Sequence, residues 1–138
     1  MRQHASYLMQ SKFYSPAFNA AIFDGPIRIY FAQYQESTAL KIYFELQEQL
    51  KELYFDAREA YKKNATHIFI MMYPTAETFS LSCGREEGPV VDRVENDYLI
   101  AVRGPVEEAD INLIAERLEK IIREIQLQPE PLLEEVAL

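Results

Sequence analysis

The stretch FNAAIFDGPIRIYFAQYQ (residues 18–35) decides the fold, because it predicts a hairpin that leads into a helix. Apolar and polar side chains alternate on both sides of Asp24-Gly25, a dipeptide strongly favoured in tight turns, and Pro26 opens the second strand. Helical spacing begins directly afterwards, at Ser37. We therefore expect two strands and a helix at the start of the domain.

Alternation along the second strand separates its side chains into two sets. The first set is predicted to be core against the following helix, and consists of Ile27, Ile29, Phe31 and Gln33. The second set consists of Arg28, Tyr30, Ala32 and Tyr34. Arginine and tyrosine are enriched at protein interfaces. We therefore predict that Arg28, Tyr30 and Tyr34 form a partner-binding surface.

The residues after this strand have the spacing of one long amphipathic helix, with Ser37 as its N-cap. Leu40 and Phe44 are expected to widen the apolar face. The spacing predicts about seven turns. The residues that recur at steps of four and three are Ala39, Tyr43, Leu46, Leu50, Leu53, Ala57 and Ala60.

The remaining chain predicts three more strands and a second helix. Residues 66–73 and 78–83 are expected to form a hairpin, in which Phe79, Leu81 and Cys83 share one side. A weak strand at 89–94 and a firm one at 97–104 follow. Pro105 is predicted as the first residue of a C-terminal helix, whose aliphatic stripe is Ile111, Ile114, Leu118, Ile121 and Ile125.

These elements predict an α+β fold, with one antiparallel sheet of about five strands, a long middle helix and a C-terminal helix. The order is β-β-α-β-β-β-α. A chain of 138 residues has the usual size of one domain. We expect an N-terminal arm or short helix at 1–17, the domain at 18–126, and an acidic, flexible tail with two prolines at 127–138.

Charge and composition argue against several classes of partner. Twenty-two acidic and 14 basic side chains give a net charge of -8, which repels phosphate backbones and anionic lipids. No apolar run approaches the roughly 18 residues that a membrane span requires. We therefore expect no nucleic acid, no membrane insertion and, without an apolar leader segment, a cytoplasmic protein.

Few residues are suited to catalysis. The chain has two histidines, His4 and His67, and one cysteine, Cys83, which we expect to be a buried, inert thiol. His67 is interpreted as a satisfied histidine at a strand edge. Four glycines do not form a phosphate-binding loop, and no metal-binding motif occurs. We predict no catalytic residue, no metal, no cofactor and no enzymatic activity.

Some carboxylates are not explained by pairing along a helix. A pair of carboxylates can catalyse hydrolysis, so these acids keep that alternative open. They are Asp24, Glu86, Glu87, Asp92 and Asp97.

The element order resembles that of roadblock, longin and profilin-like domains over about residues 18–126. Those domains dimerise and often serve small GTPases, so the resemblance implies a scaffold or regulatory module. Two long apolar helix stripes beside a sheet also give more apolar surface than a small domain covers alone. We therefore expect a homodimer that binds a protein partner.

Two alternatives stay open. A small acidic α+β chain with an amphipathic C-terminal helix is also similar to type III secretion chaperones, although these place three strands before the middle helix. The second alternative is a small-molecule binder or enzyme that uses the aromatic strand. Nine tyrosines and eight phenylalanines make a pocket lined by aromatic residues feasible.

Overall fold

Five strands and three helices lie within the described residues of the computed structural model, which are 11–52, 58–59 and 66–127. Their order is β-β-α-β-α-β-β-α. The elements are β1 (Ala20–Asp24), β2 (Ile27–Phe31), α1 (Glu36–Gln49), β3 (Ile68–Met72), α2 (Ala76–Cys83), β4 (Val90–Val94), β5 (Asp97–Val102) and α3 (Glu108–Leu127).

The strands form one mixed sheet in the order β1-β2-β3-β5-β4. The two outer pairs, β1–β2 and β4–β5, are antiparallel hairpins, whereas β3 runs parallel to both β2 and β5. The α+β class and the five strands are confirmed. The fully antiparallel sheet is wrong, because the connection through α1 returns the chain to the end of the sheet at which β2 began, and β4 returns it to the end at which β3 began.

Helix α2 replaces the strand predicted at residues 78–83. Phe79 and Cys83 are buried and lie four residues apart, while Leu81 between them is 80% exposed. The hydroxyl of Thr75 accepts the N–H of Thr78 at 3.1 Å, and the Thr78 hydroxyl accepts the N–H of Thr75 at 3.2 Å. This reciprocal cap starts the helix. A run of three consecutive strands, on which the roadblock-like resemblance depends, is therefore not observed.

Helix α1 is shorter than the predicted helix of seven turns. It begins at Glu36, without the predicted Ser37 cap, and Leu50 leaves the helical conformation after it. A helix of 14 residues is about 21 Å long and already exceeds a strand of five residues, about 17 Å. Its buried residues are Ala39, Ile42 and Leu46.

Several residues of the predicted helix of seven turns lie outside α1 or outside its buried face. Residues 51–52 and 58–59 are helical, whereas Leu53, Ala57 and Ala60 lie outside the described residues. Leu40 and Phe44 are exposed, so they do not widen the buried face.

Helix α3 confirms the predicted aliphatic stripe, since all five residues of the stripe are buried. The helix starts at Glu108, so the prediction that Pro105 is its first residue is wrong. The carboxylate of Asp110 accepts the N–H of Glu107 at 2.8 Å and thereby caps this end. Strands β4 and β5 are confirmed within the predicted segments.

The sheet has a different layer on each face, and β3 and β5 are buried on both. Helices α1 and α3 cover one face, where the core is rich in isoleucine. The opposite face is more aromatic. Its buried residues are Phe13, Phe18, Phe69, Met71, Tyr73, Phe79, Cys83, Leu99 and Ala101.

Part of the predicted N-terminal arm can be located. Residues 11–17 are irregular, and Phe13 is buried among the aromatic residues. Residues 1–10 of the arm and 128–138 of the predicted tail lie outside the described residues. Within the described ranges, no helix has both the length and the apolar character that crossing a membrane requires.

Loss of the α2 cap is expected to lower stability. Thr75→Ala removes the oxygen that accepts the Thr78 N–H, and we expect the free energy of unfolding to fall by about 1 kcal/mol. Urea denaturation measures this change. Thr75→Ser keeps the oxygen and is the control; equal losses in the two variants would contradict the role of the cap.

Gly104 is expected to tolerate no side chain. An added Cβ would lie 2.0 Å from the carbonyl oxygen of Tyr73, which is backbone and cannot move aside. We expect Gly104→Ala to lower the free energy of unfolding by at least about 2 kcal/mol in the same assay. Gly84→Ala is the control, since Gly84 has a φ of +67° and open space around it. A loss of only about 1 kcal/mol is expected there.

Candidate interaction surface

The outward side of the β1–β2 hairpin carries a cluster that we call the aromatic patch, made of Phe23, Arg28 and Tyr30. Phe23 and Arg28 are direct partners across the two strands. The guanidinium of Arg28 lies 4.4 Å above the centre of the Phe23 ring, and that ring is 61% exposed. The ring of Tyr30 meets Phe23 edge-on at 6.2 Å.

The patch is attached to the core through Tyr30. The Tyr30 ring also lies 5.9 Å from the ring of Phe69, which is buried on β3. A cation above an exposed ring contributes about 0.5–1 kcal/mol, which restrains Arg28. The patch is therefore held in place before any partner arrives, and this lowers the entropic cost of binding.

The structure places the three predicted partner-binding residues in two locations. Arg28 and Tyr30 share one side of β2, as the alternation predicts. Tyr34 is 79% exposed but lies in a 3-10 turn, Gln33–Gln35, beyond the end of the strand. Ala32, predicted on the same side, is buried.

Sequence reasoning missed Phe23, the most exposed member of the patch. The position of Phe23 opposite Arg28 could have been found from the hairpin turn. A two-residue turn at Gly25-Pro26 pairs Asp24 with Ile27 and therefore Phe23 with Arg28. Gly25 has a φ of +60°, as the first central position of such a turn requires.

A shallow groove of about 310 Å³ lies beside β1, on the same face as the patch. Small and aromatic residues line it, and Tyr30 belongs to both the groove and the patch. The described lining is Phe18, Asn19, Ala20, Ala21 and Tyr30. The groove can take an apolar side chain of a partner.

A second cavity, a cleft of about 370 Å³, lies where β5 ends and α3 begins. Its ionisable groups are those of Glu87, Arg103, Glu107 and Asp110, and Asp110 is already engaged as the cap of α3. The described lining has no imidazole, thiol or hydroxyl side chain. This cleft can hold a small polar ligand.

His67 and Asp97 form a buried pair at the starts of β3 and β5. The Oδ1 atom of Asp97 accepts the backbone N–H of His67 at 2.7 Å and lies 3.4 Å from its Nδ1. The His67 ring stacks on Phe69 at 6.0 Å. His67 lies directly before Ile68, the first residue of β3, which is where the interpretation of a histidine at the edge of that strand places it. Asp97 has a structural role, since it joins two neighbouring strands.

The other unexplained carboxylates have separate locations. Asp24 accepts hydrogen bonds from Arg58 at 2.7 Å and from the Tyr43 hydroxyl at 3.1 Å. Asp92 lies on β4, at the opposite edge of the sheet from Asp24, and accepts the N–H of Arg93. Glu86 and Glu87 are exposed in the turn after α2. No cluster of three metal-ligating side chains occurs in the described parts of the chain.

Cys83 is buried, as predicted, but at the end of α2. Burial raises the pKa of its thiol above the ordinary value. The neighbouring Tyr73 hydroxyl donates a hydrogen bond to the carbonyl of Phe13, and burial holds the pKa of Tyr73 well above its ordinary range.

Comparison of the chain with protein-family models, curated proteins and solved structures finds no match.

Stability is expected to decrease in alkaline solution. Because the folded state raises the pKa of Cys83 and Tyr73, the unfolded chain releases protons first as the pH rises above about 9. The contribution of these groups is complete below their unfolded pKa values and is lost above them. We expect the urea midpoint to fall between about pH 8 and pH 10.

The variant Cys83→Ala separates the thiol from other titrating groups. Its urea midpoint should fall less over the same pH interval than that of the wild type. An identical pH dependence in both proteins would contradict the contribution of the thiol.

Proposed function

We propose that the protein is a non-catalytic interaction module that binds a protein partner through the aromatic patch. One observation carries this proposal: the guanidinium of Arg28 lies 4.4 Å above the exposed ring of Phe23, with Tyr30 edge-on beside it. Aromatic residues and arginine supply most of the binding energy at protein interfaces.

The exposure of Phe23 supports a binding role for the patch. More than half of Phe23 is exposed to water, although the adjoining Tyr30 ring, which packs on Phe69, offers an apolar setting. A partner that covers the ring gains the free energy of apolar burial. The neighbouring groove extends the apolar surface available to the same partner.

The observed element order differs from the orders of the two more specific classes of binding protein. A roadblock-like GTPase regulator was suggested by three consecutive strands, and α2 replaces one of them. A secretion chaperone is expected to place three strands before the middle helix, whereas two precede α1 in the described chain. A cytoplasmic location remains part of the proposal, because one cysteine suits a reducing compartment.

A second candidate function is binding of a small polar molecule in the cleft beside Arg103. The observation that favours it is a cavity of about 370 Å³ at the carboxyl ends of β3 and β5. Ligands often bind at this edge of parallel strands. Native mass spectrometry of the purified protein would detect a retained metabolite.

Removal of the exposed ring is expected to weaken partner binding. Tagged wild-type protein and the variants Phe23→Ser and Tyr34→Ser are used to capture proteins from a native lysate of the source cells. We expect Phe23→Ser to reduce the amount of the main captured protein at least tenfold, because removal of one hot-spot residue weakens binding by about that factor or more. Tyr34→Ser tests whether the turn belongs to the same surface.

Phe44→Ser is the matched control. Phe44 is 59% exposed, almost as much as Phe23, but lies on α1 at the opposite face of the sheet. The Phe44→Ser variant should capture the partner as the wild type does. Thermal melts should show that all variants are folded. Capture that survives Phe23→Ser, or that is lost only with Phe44→Ser, would contradict the proposal.

A further inference from the structure

Strand β1 presents backbone groups along its outer edge that no described residue pairs with in the sheet. In a two-residue hairpin, the residue pair next to the turn exchanges two hydrogen bonds, and every second pair does the same. The N–H and C=O groups of Ala20, Ile22 and Asp24 therefore face β2. Those of Ala21 and Phe23 point away from the sheet. Within the described chain, β1 pairs with β2 alone.

The two edges of the sheet differ in charge. Strand β4 exposes Asp92 and Arg93 in its middle, and charged side chains protect an edge from pairing with another strand. Strand β1 has one charge, at Asp24, and Arg58 neutralises it at 2.7 Å. The β1 edge therefore lacks the protection that β4 has.

We propose that β1 pairs antiparallel with β1 of a second copy of this chain, about a two-fold axis at Ile22. The inference rests on the proposed function and identifies the partner. Ala21 then lies opposite Phe23 of the second copy, and each of the two such pairs exchanges two hydrogen bonds. In any other register, the outward N–H and C=O groups of Ala21 or of Phe23 have no partner among the residues of the opposite β1 strand. The pairing joins two sheets into one of ten strands.

The groove beside β1 supports the same register. Directly opposed residues lie on the same face of a sheet, so Phe23 of the second copy extends over Ala21. Ala21 is small and lines the groove together with Ala20, Phe18 and Tyr30. By symmetry, both exposed rings enter a groove. The surface is self-complementary, as an isologous dimer requires.

Electrostatics do not oppose this arrangement locally. Asp24 lies opposite Ala20 of the second copy, so the two Asp24 carboxylates are at opposite ends of the paired strands. Each is already neutralised by Arg58 of its own chain. Arg28 stays above Phe23, where it covers the outer side of the ring.

A cysteine at the two-fold axis tests the register in the purified protein. Ile22 faces Ile22 of the second copy as a non-hydrogen-bonded pair, with Cα atoms about 4.5 Å apart, within the range of a disulfide. We expect Ile22→Cys to form a covalent dimer under mild oxidation. Asp92→Cys, the equivalent position on the β4 edge, should remain uncrosslinked, and so should the wild type, whose Cys83 is buried.

A proline at the edge tests the backbone pairing independently. Ala21→Pro removes an outward N–H and leaves the ladder to β2 intact, because proline is tolerated where the N–H faces away from the sheet. Val91→Pro makes the same change on β4. Sedimentation equilibrium should give twice the chain mass of 16.1 kDa for the wild type and Val91→Pro, and 16.1 kDa for Ala21→Pro.

The outcomes separate this inference from the proposed function. A wild-type protein that stays at 16.1 kDa up to about 100 μM, well above typical specific dissociation constants, or a dimer that persists in Ala21→Pro, overturns the inference. If lysate capture still depends on Phe23 in that case, the proposed function stands. If Ile22→Cys cross-links but lysate capture is insensitive to Phe23→Ser, the inference stands and the proposed function fails.

Discussion

Strand β3 runs parallel to both of its neighbours and is buried on both faces, and the rest of the architecture depends on this arrangement. A parallel pair cannot be closed by a tight turn, so the chain must cross the sheet between strands. Helix α1 makes that crossing on one face. Between β3 and β5 the chain passes through α2 on the other face, and β4 then makes the return at the edge of the sheet. The layer that contains α1 therefore follows from the direction of one strand, and the two hairpins form the edges.

Local chemistry made some elements predictable and concealed others. The β1–β2 hairpin could be predicted because Gly25 marks its turn, and α3 because its isoleucine stripe is long. Helix α2 has only eight residues, and Phe79, Leu81 and Cys83 fit a strand pattern as well as a helical one. The discriminating signal was the Thr75 cap. Parallel pairing could not be predicted, since it depends on contacts between distant segments.

Likewise, only the part of the candidate surface that lies within β2 could be predicted. Alternation along β2 correctly placed Arg28 and Tyr30 together, but it ends at Phe31, so Tyr34 lies elsewhere. Phe23 belongs to the preceding strand, and its role appears only when the hairpin register is counted from the turn. The cleft beside Arg103 was missed because its lining comes from separate segments around Gly88 and Gly104. Surfaces made within one hairpin are thus more predictable than those made between elements.

The two layers also differ in how firmly they hold the sheet. Helix α3 has 20 residues and covers one face with aliphatic side chains, whereas an eight-residue helix and an irregular segment cover the other. The bond from the Tyr73 hydroxyl to the Phe13 carbonyl fastens that irregular segment. Short elements with few buried contacts open at lower free energy than long ones. Of the two layers formed by the described residues, we expect the aromatic one to open first, so that the sheet is exposed there while the layer of α1 and α3 stays closed.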